Sequence, residues 1–510
     1  MIAALDKLIG SPTRVALLLA LFLGLHASIT LVAGLAHPPA ALGMDDAEQA
    51  MFAQQFSWSY RFQQPPLFTW ILNALAHLGP VNIVSLTLLR YALLAALFIL
   101  MWRLGQLWLD DPRAAALATL SLAAIYIFGY YAHHDLTHST ILATTVAASL
   151  LVFARIERSP SWANYGALGV CFGLGMLSKW NFLILALALP ATALAFPRTR
   201  ALVLTTKSLL AAAIAAAIAL PSIFWVLSQR HDFKALSREV LAERHESSGL
   251  GTALTTGSLD LLEAVIAFPQ PWAALFLLAF GLALWRGPVT WSPRARFLAL
   301  FIAIGIGLHA LLLIVLQAAT FSERWMITVL MPLPLLGFVL IDAIGLPRTG
   351  ARLFVGLCVC AMMLSLGFRA WAYVAGADAC GKCRLHGPFD DLKDQLLRVG
   401  YRDSGTIVTE QFYVGGNLRV WFPESRIRSP LYPTSVWPPA RPDQPCLLAW
   451  ENREPDPSPM PASLEAYIAQ AAFDRNQLEI GEVRSLMHGS AQKTFALGYA
   501  LLRPEQGSCP

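Results

Sequence analysis

Charge is scarce in this chain. Only 14% of its 510 residues are Asp, Glu, Lys or Arg, against about 25% in an ordinary soluble domain, which argues against a soluble enzyme. No run of like charge exists either. Thirty-seven Lys and Arg against thirty-two Asp and Glu leave a net +5 spread in small clusters, a pattern that speaks against nucleic acid as a partner. The seven cysteines show no paired metal-ligand spacing, so a zinc module and a disulfide scaffold are both excluded. They leave Cys380 and Cys383 as a lone CxxC, for which a local bridge is the first expectation. No internal repeat is evident.

What is abundant is apolar sequence, 56% of the chain, with a mean hydropathy of +0.55. Windows long enough to cross a bilayer, roughly 20 residues each, recur from Leu17 to Val374 and then stop. They predict about eleven transmembrane helices, near 15–35, 81–102, 114–132, 139–154, 162–178, 181–196, 208–228, 268–285, 297–317, 325–345 and 353–374. Lys7, Arg14, Arg103, Arg113, Arg155, Arg158, Arg198, Arg200, Lys207, Arg286, Arg294, Arg296, Arg348 and Arg352 fall into loops on one side of this pattern. Basic residues resist translocation, so that side is expected to be cytoplasmic, with the N-terminus. The reading is a polytopic α-helical membrane domain over 1–374, with outer loops at 36–80 and 229–267. A small α/β extracytoplasmic domain follows over 375–510. In that tail, 388–399 fits an amphipathic helix, 405–409 and 446–450 fit strands, and the Pro-rich 430–445 fits an ordered loop.

Chemistry-bearing residues gather on the outer side. The first outer loop holds Met44-Asp45-Asp46-Ala47-Glu48, then Tyr60-Arg61-Phe62-Gln63-Gln64-Pro65-Pro66-Leu67, with Trp58, Tyr60 and Trp70 suited to a membrane interface. Three carboxylates within four residues are costly where solvation is partial, and pairing, a metal or catalysis would keep them there. A solvated acidic loop is the plainer alternative. Tyr130-Tyr131-Ala132-His133-His134-Asp135-Leu136-Thr137-His138 ends the third predicted span, with a divalent cation and interfacial polarity as competing explanations. Lys179, in Gly173-Leu174-Gly175-Met176-Leu177-Ser178-Lys179-Trp180, reads as a snorkelling anchor or a phosphate ligand. Arg324, in Phe321-Ser322-Glu323-Arg324-Trp325, reads as a partner of Glu323 or a phosphate fork. Arg230, His231 and Asp232 open the second outer loop.

These segments, in this order and on one side, resemble the GT-C glycosyltransferases of the dolichyl-phosphate-mannose protein mannosyltransferase superfamily, in the bacterial branch that includes lipid A aminoarabinose and galacturonic acid transferases. The family has an Asp-Glu pair after its first span and a His-Pro-Pro-Leu turn further on; here Asp46 replaces the Glu and Gln64 the His. The resemblance implies Asp45 as catalytic base with Asp46 beside it, and Lys179 and Arg324 as ligands of the donor phosphate. It gives supporting or substrate-binding roles to Glu48, Gln64, Tyr60, His134, Asp135 and His231. A divalent metal cation, held by Glu48, His133 and Asp135, is the one cofactor expected. The implied partners are a polyprenyl-phosphate-linked sugar, a lipid or glycolipid acceptor and the bilayer of a bacterial inner membrane, with the tail periplasmic. Inverting transfer to lipid A, lipopolysaccharide core or another envelope glycolipid is the expected activity. A protein O-mannosyltransferase-like enzyme and a flippase of lipid-linked sugars are the alternatives.

Overall fold

The computed structural model describes residues 10–61, 63–228, 249–318, 320–380, 384–432, 435–452, 459–506 and 509. The chain forms two compact units. One comprises Met1–Leu25, Phe62–Leu67 and Arg90–Leu366; the other comprises His26–Arg61, Phe68–Leu89 and Gly367–Pro510. The second unit therefore unites most of the first outer loop with the tail, which the division at residue 374 separates.

The first unit is helical. Among the described residues of the chain, seven helices are long and apolar enough to cross a membrane, or eight if the bent pair Glu323–Leu330 and Leu333–Ala343 is one span. Phe182–Ala195 and Trp272–Arg286 are apolar but shorter. The expected eleven thus counts pieces that are short or broken here. The predicted 114–132 span is not one helix: it runs as Pro112–Leu120, Ser121–Ala124, Tyr126–Gly129 and Tyr131–His133. The break falls where Ile125 leaves helical geometry to bridge Pro271 and Tyr126 N donates to Gln270 O at 2.9 Å. The bent pair turns by 44° across Pro332, which lacks an N–H and disfavours helical geometry before it. In the predicted outer loop 229–267, Gly249–Ala267 is instead a 19-residue helix that passes the same length and hydropathy test.

Thr137–Arg158 is the central helix, with 83% of its apolar window buried against 22–39% for the other spans. Its hydroxyls are tolerated because they donate back along the helix: Thr140 to Leu136 O at 2.8 Å, Thr144 to Thr140 O at 3.0 Å and Ser149 to Thr145 O at 2.8 Å. Such bonds satisfy polar groups where no water is at hand. Trp162–Ser178 packs closely on Thr206–Ser228 through Gly169, where a Cβ would stand 2.6 Å from Ala211 O. Small residues at such a crossing let two backbones approach in the absence of a strong hydrophobic drive.

The second unit is built on a five-stranded sheet ordered β2-β1-β3-β5-β4. Its strands are β1 Thr406–Thr409, β2 Arg426–Arg428, β3 Cys446–Asn452, β4 Glu479–Leu486 and β5 Thr494–Leu502. β2, β1 and β3 run parallel, while β5 is antiparallel to both β3 and β4. Alternation along the strands feeds two cores, Ile407, Leu447 and Ala449 on one face and Val408, Leu448 and Trp450 on the other. The predicted 388–399 helix and both predicted strands are present, as Phe389–Arg398, β1 and β3. A Cys446–Cys509 disulfide spans 63 residues of sequence and ties β3 to the far end of the chain. Cys380 is also disulfide-bonded; Cys383, the partner expected for it, lies outside the described residues.

Candidate active site

The acidic motif folds as a nine-residue helix, Met44–Phe52, and this separates its three carboxylates. Glu48 is 4% exposed and takes Arg61 Nη1 at 2.8 Å in a buried ion pair. The Arg61 guanidinium also lies over the Phe412 and Tyr432 rings, at 5.3 and 6.0 Å. Asp46 is buried too, whereas Asp45, in the first helical turn, is partly exposed. Of the three, Asp45 alone is not buried.

The rest of the loop is held by internal bonds. Thr69 Oγ1 donates to Gln49 Oε1 at 2.6 Å, Trp70 Nε1 to Ser57 O at 2.7 Å, and Asn73 Nδ2 to Ala53 O at 2.8 Å. Tyr60 is buried, with its hydroxyl donating to Gln55 O at 3.0 Å and accepting from Ser57 N. Burial pushes this phenol up to about 12, so it stays protonated near neutral pH. Phe52 contacts Tyr60, Phe412, Tyr432 and Trp437, with ring centroids 5.4 to 5.7 Å apart.

Lys179 and Arg324 lie in the other unit. Lys179 ends the Trp162–Ser178 helix in extended geometry, φ −166° and ψ 140°, which turns it out of the helical path. Its ammonium donates to Ser139 Oγ at 3.1 Å, against the first turn of Thr137–Arg158. Arg324 sits in the 3₁₀ turn Glu323–Met326 that opens the bent pair. Among the described residues its guanidinium makes no ion pair, with Glu323 or any other carboxylate, and its buried Nε has no hydrogen-bond partner. Asn181 joins the two turns by donating Nδ2 to Trp325 O at 3.1 Å. The turns that carry the two cations are thereby joined across 144 residues of sequence, and at the junction Asn181 Oδ1 is buried with no hydrogen-bond partner among the described residues. Gln64 Oε1, in the same unit, is likewise buried without a hydrogen-bond partner among the described residues.

The histidine-rich turn divides as well. His133 is fully buried, with Nδ1 3.3 Å from Tyr91 OH and its ring edge-on to Phe22. His134 is partly exposed between Tyr130 and Tyr131, at 5.2 and 5.1 Å, and Asp135 beside it is also partly exposed. Among the described residues no group of three or more His, Cys, Asp or Glu side chains is placed to hold a metal ion. Glu48, His133 and Asp135 thus do not form the expected set, and no step below is routed through a metal. Arg230, His231 and Asp232 lie outside the described residues.

Four residues with no assigned role prove informative. Arg90 and Arg369 are each 2% exposed inside apolar helices, where a buried cation is a functional or structural commitment. Arg369 donates to Thr30 Oγ1 at 2.7 Å. Both were visible as lone charges within apolar runs. Asn181 and Asn417 gave no signal, because their partners are backbone groups 144 and 375 residues away.

Residues 63–225 match the family described as dolichyl-phosphate-mannose-protein mannosyltransferase. The resemblance read from the sequence is borne out. The chain is 28% identical over 466 residues to the lipopolysaccharide core galacturonosyltransferase RgtB of Rhizobium johnstonii, covering 90% of this chain and 92% of that one. It is also 28% identical over 481 residues to RgtA of the same organism, covering 92% and 94%. Among solved structures, ArnT from Cupriavidus metallidurans bound to undecaprenyl phosphate aligns over 96% of this chain and 98% of its own, with a TM-score of 0.57 and 15% identity. The apo form aligns with a TM-score of 0.56 and 13% identity. At that identity the match establishes the GT-C fold, and with it the small sheet domain after the last span.

Proposed function

We propose that this glycosyltransferase moves a sugar from a polyprenyl-phosphate donor to a hydroxyl of lipopolysaccharide core or a related envelope glycolipid, at the outer face of a bacterial inner membrane. The observation that carries this reading is the pairing of the Lys179 and Arg324 turns through Asn181, in a chain related over nine-tenths of its length to transferases of that class. A phosphate leaving group gains negative charge as its bond to the anomeric carbon breaks, and preorganised cations stabilise that charge. Arg324, whose Nε has no protein partner among the described residues, has donor capacity to spare for it.

In the proposed step the acceptor oxygen bonds to the anomeric carbon as the bond from that carbon to the phosphate oxygen breaks. The acceptor proton passes to the Asp45 carboxylate, and the electron pair leaves with polyprenyl phosphate. In-line displacement inverts the anomeric centre. Glu48, neutralised by Arg61, supports the helix and takes no proton. The basic loops are read as cytoplasmic, which puts Asp45, Lys179 and Arg324 on the outer side.

The test uses membranes holding matched amounts of protein, a radiolabelled polyprenyl-phosphate sugar and lipopolysaccharide acceptors. Lys179→Ala is expected to lower transfer about 10²-fold, the scale of losing one charge-stabilising donor. Donor turnover equal to wild type would remove Lys179 from the scheme. Movement of donor across the bilayer without transfer would favour a flippase.

A further inference from the structure

The helix that carries Asp45 does not hold itself in place. It is only nine residues long, and its N-cap, Gly43, has no side chain to cap the first turn. Isolated helices of that length are marginal. Bonds from its own loop reach Glu48 and Gln49, and the contacts at its two ends come from the tail. Asn417, in the Phe412–Trp421 helix, accepts from Leu42 N at 2.8 Å, and its Nδ2 donates to Leu42 O at 3.4 Å and to Tyr413 O at 2.8 Å. Ala41 N donates to Leu385 O at 3.0 Å. One residue from Asn417, Gly416 faces the Asp45 helix so closely that a Cβ there would stand 2.0 Å from Ala47 O. Beyond the helix, Gln54 repeats the two-way bond at the sheet edge: Ile427 N donates to its Oε1 at 2.8 Å, and its Nε2 donates to Ile427 O at 2.9 Å. Ser435 Oγ donates to Tyr60 O.

We propose that the C-terminal domain is a positioning part of the catalytic apparatus, with Asn417 and Gln54 as the two residues that set the placement of Asp45. This rests on Asp45 being the base. The grips lie on either side of the helix, three residues before Asp45 and two after Phe52, so together they fix both its register and its direction. A reacting group displaced by about 1 Å costs on the order of 10²-fold in rate while binding is retained. The tail therefore acts on kcat. An acceptor-binding appendage would act on the acceptor KM.

The experiment compares full-length Asn417→Ala and Gln54→Ala with wild type and Asp45→Asn in membranes, measuring kcat and the KM for donor and acceptor separately. Each tail-grip variant is expected to lose about 10- to 100-fold in kcat with both KM values within about twofold of wild type. A raised acceptor KM at unchanged kcat, or no change in either, overturns the proposal. Gln54 is only part-buried, so Gln54→Ala serves as the test should Asn417→Ala fail to accumulate. Asp45→Asn separates the two ideas: if it is inactive while both grip variants are normal, only the positioning role falls, and if it is active the base assignment falls first.

Discussion

Asp45→Asn is expected to reduce transfer by about 10³- to 10⁴-fold, near the upper range for removing a general base. Asparagine keeps the size and nearly the shape of the side chain but has no site that takes a proton from an acceptor hydroxyl. Neither neighbour can substitute. Glu48 is engaged with Arg61 at 2.8 Å and buried, and Asp46 is buried one residue further round the helix. The readout is sugar transfer from labelled polyprenyl-phosphate donor at matched protein levels, with donor binding measured alongside. Activity within tenfold of wild type would refute Asp45 as the base.

Arg61→Ala is expected to be the most destabilising single change in the acidic loop, by about 3–5 kcal/mol. It strips the partner from Glu48 in a site where each side chain is 5% exposed, and a charge stranded out of water costs more than the pair contributes. The same change removes the guanidinium from the Phe412 and Tyr432 rings, which adds lost packing to lost charge. The double replacement Arg61→Met with Glu48→Leu should recover most of the loss, because two well-packed apolar chains leave nothing unpaired. Thermal melting in detergent and protease resistance of the loop both report it. Equal damage from the single and double variants would show that ring packing, and not the stranded carboxylate, dominates.

The sequence carried the class of fold and the identity of the charged residues well, because both are local. Apolar runs of bilayer length announce spans, and Asp45, Lys179 and Arg324 stand out against so little other charge. Broken spans were less legible. What interrupts 114–132 is a backbone pairing of Ile125 with Pro271, a contact no window along the chain contains. Gly249–Ala267 reads as loop because it follows a charged stretch and is the least apolar of the long helices among the described residues. The Cys446–Cys509 bridge is invisible for a similar reason, since 63 intervening residues leave no spacing signature. The purpose of Gly416 and Asn417 lies in Ala47 and Leu42 opposite them, residues that no stretch of the tail contains.

The grip of Asn417 on Leu42 also has a consequence in time. Ribosomes add about 5–20 residues per second, and the two residues are 375 apart in sequence, so the loop waits about 20 to 75 s for its partner to be made. During that interval the membrane helices can insert, yet the acidic helix lacks the tail contacts at its two ends. A chain stopped after Val374 should insert but leave the peptide bonds around Gln54 open to protease; protection equal to that of the complete chain would show that the loop sets without the tail.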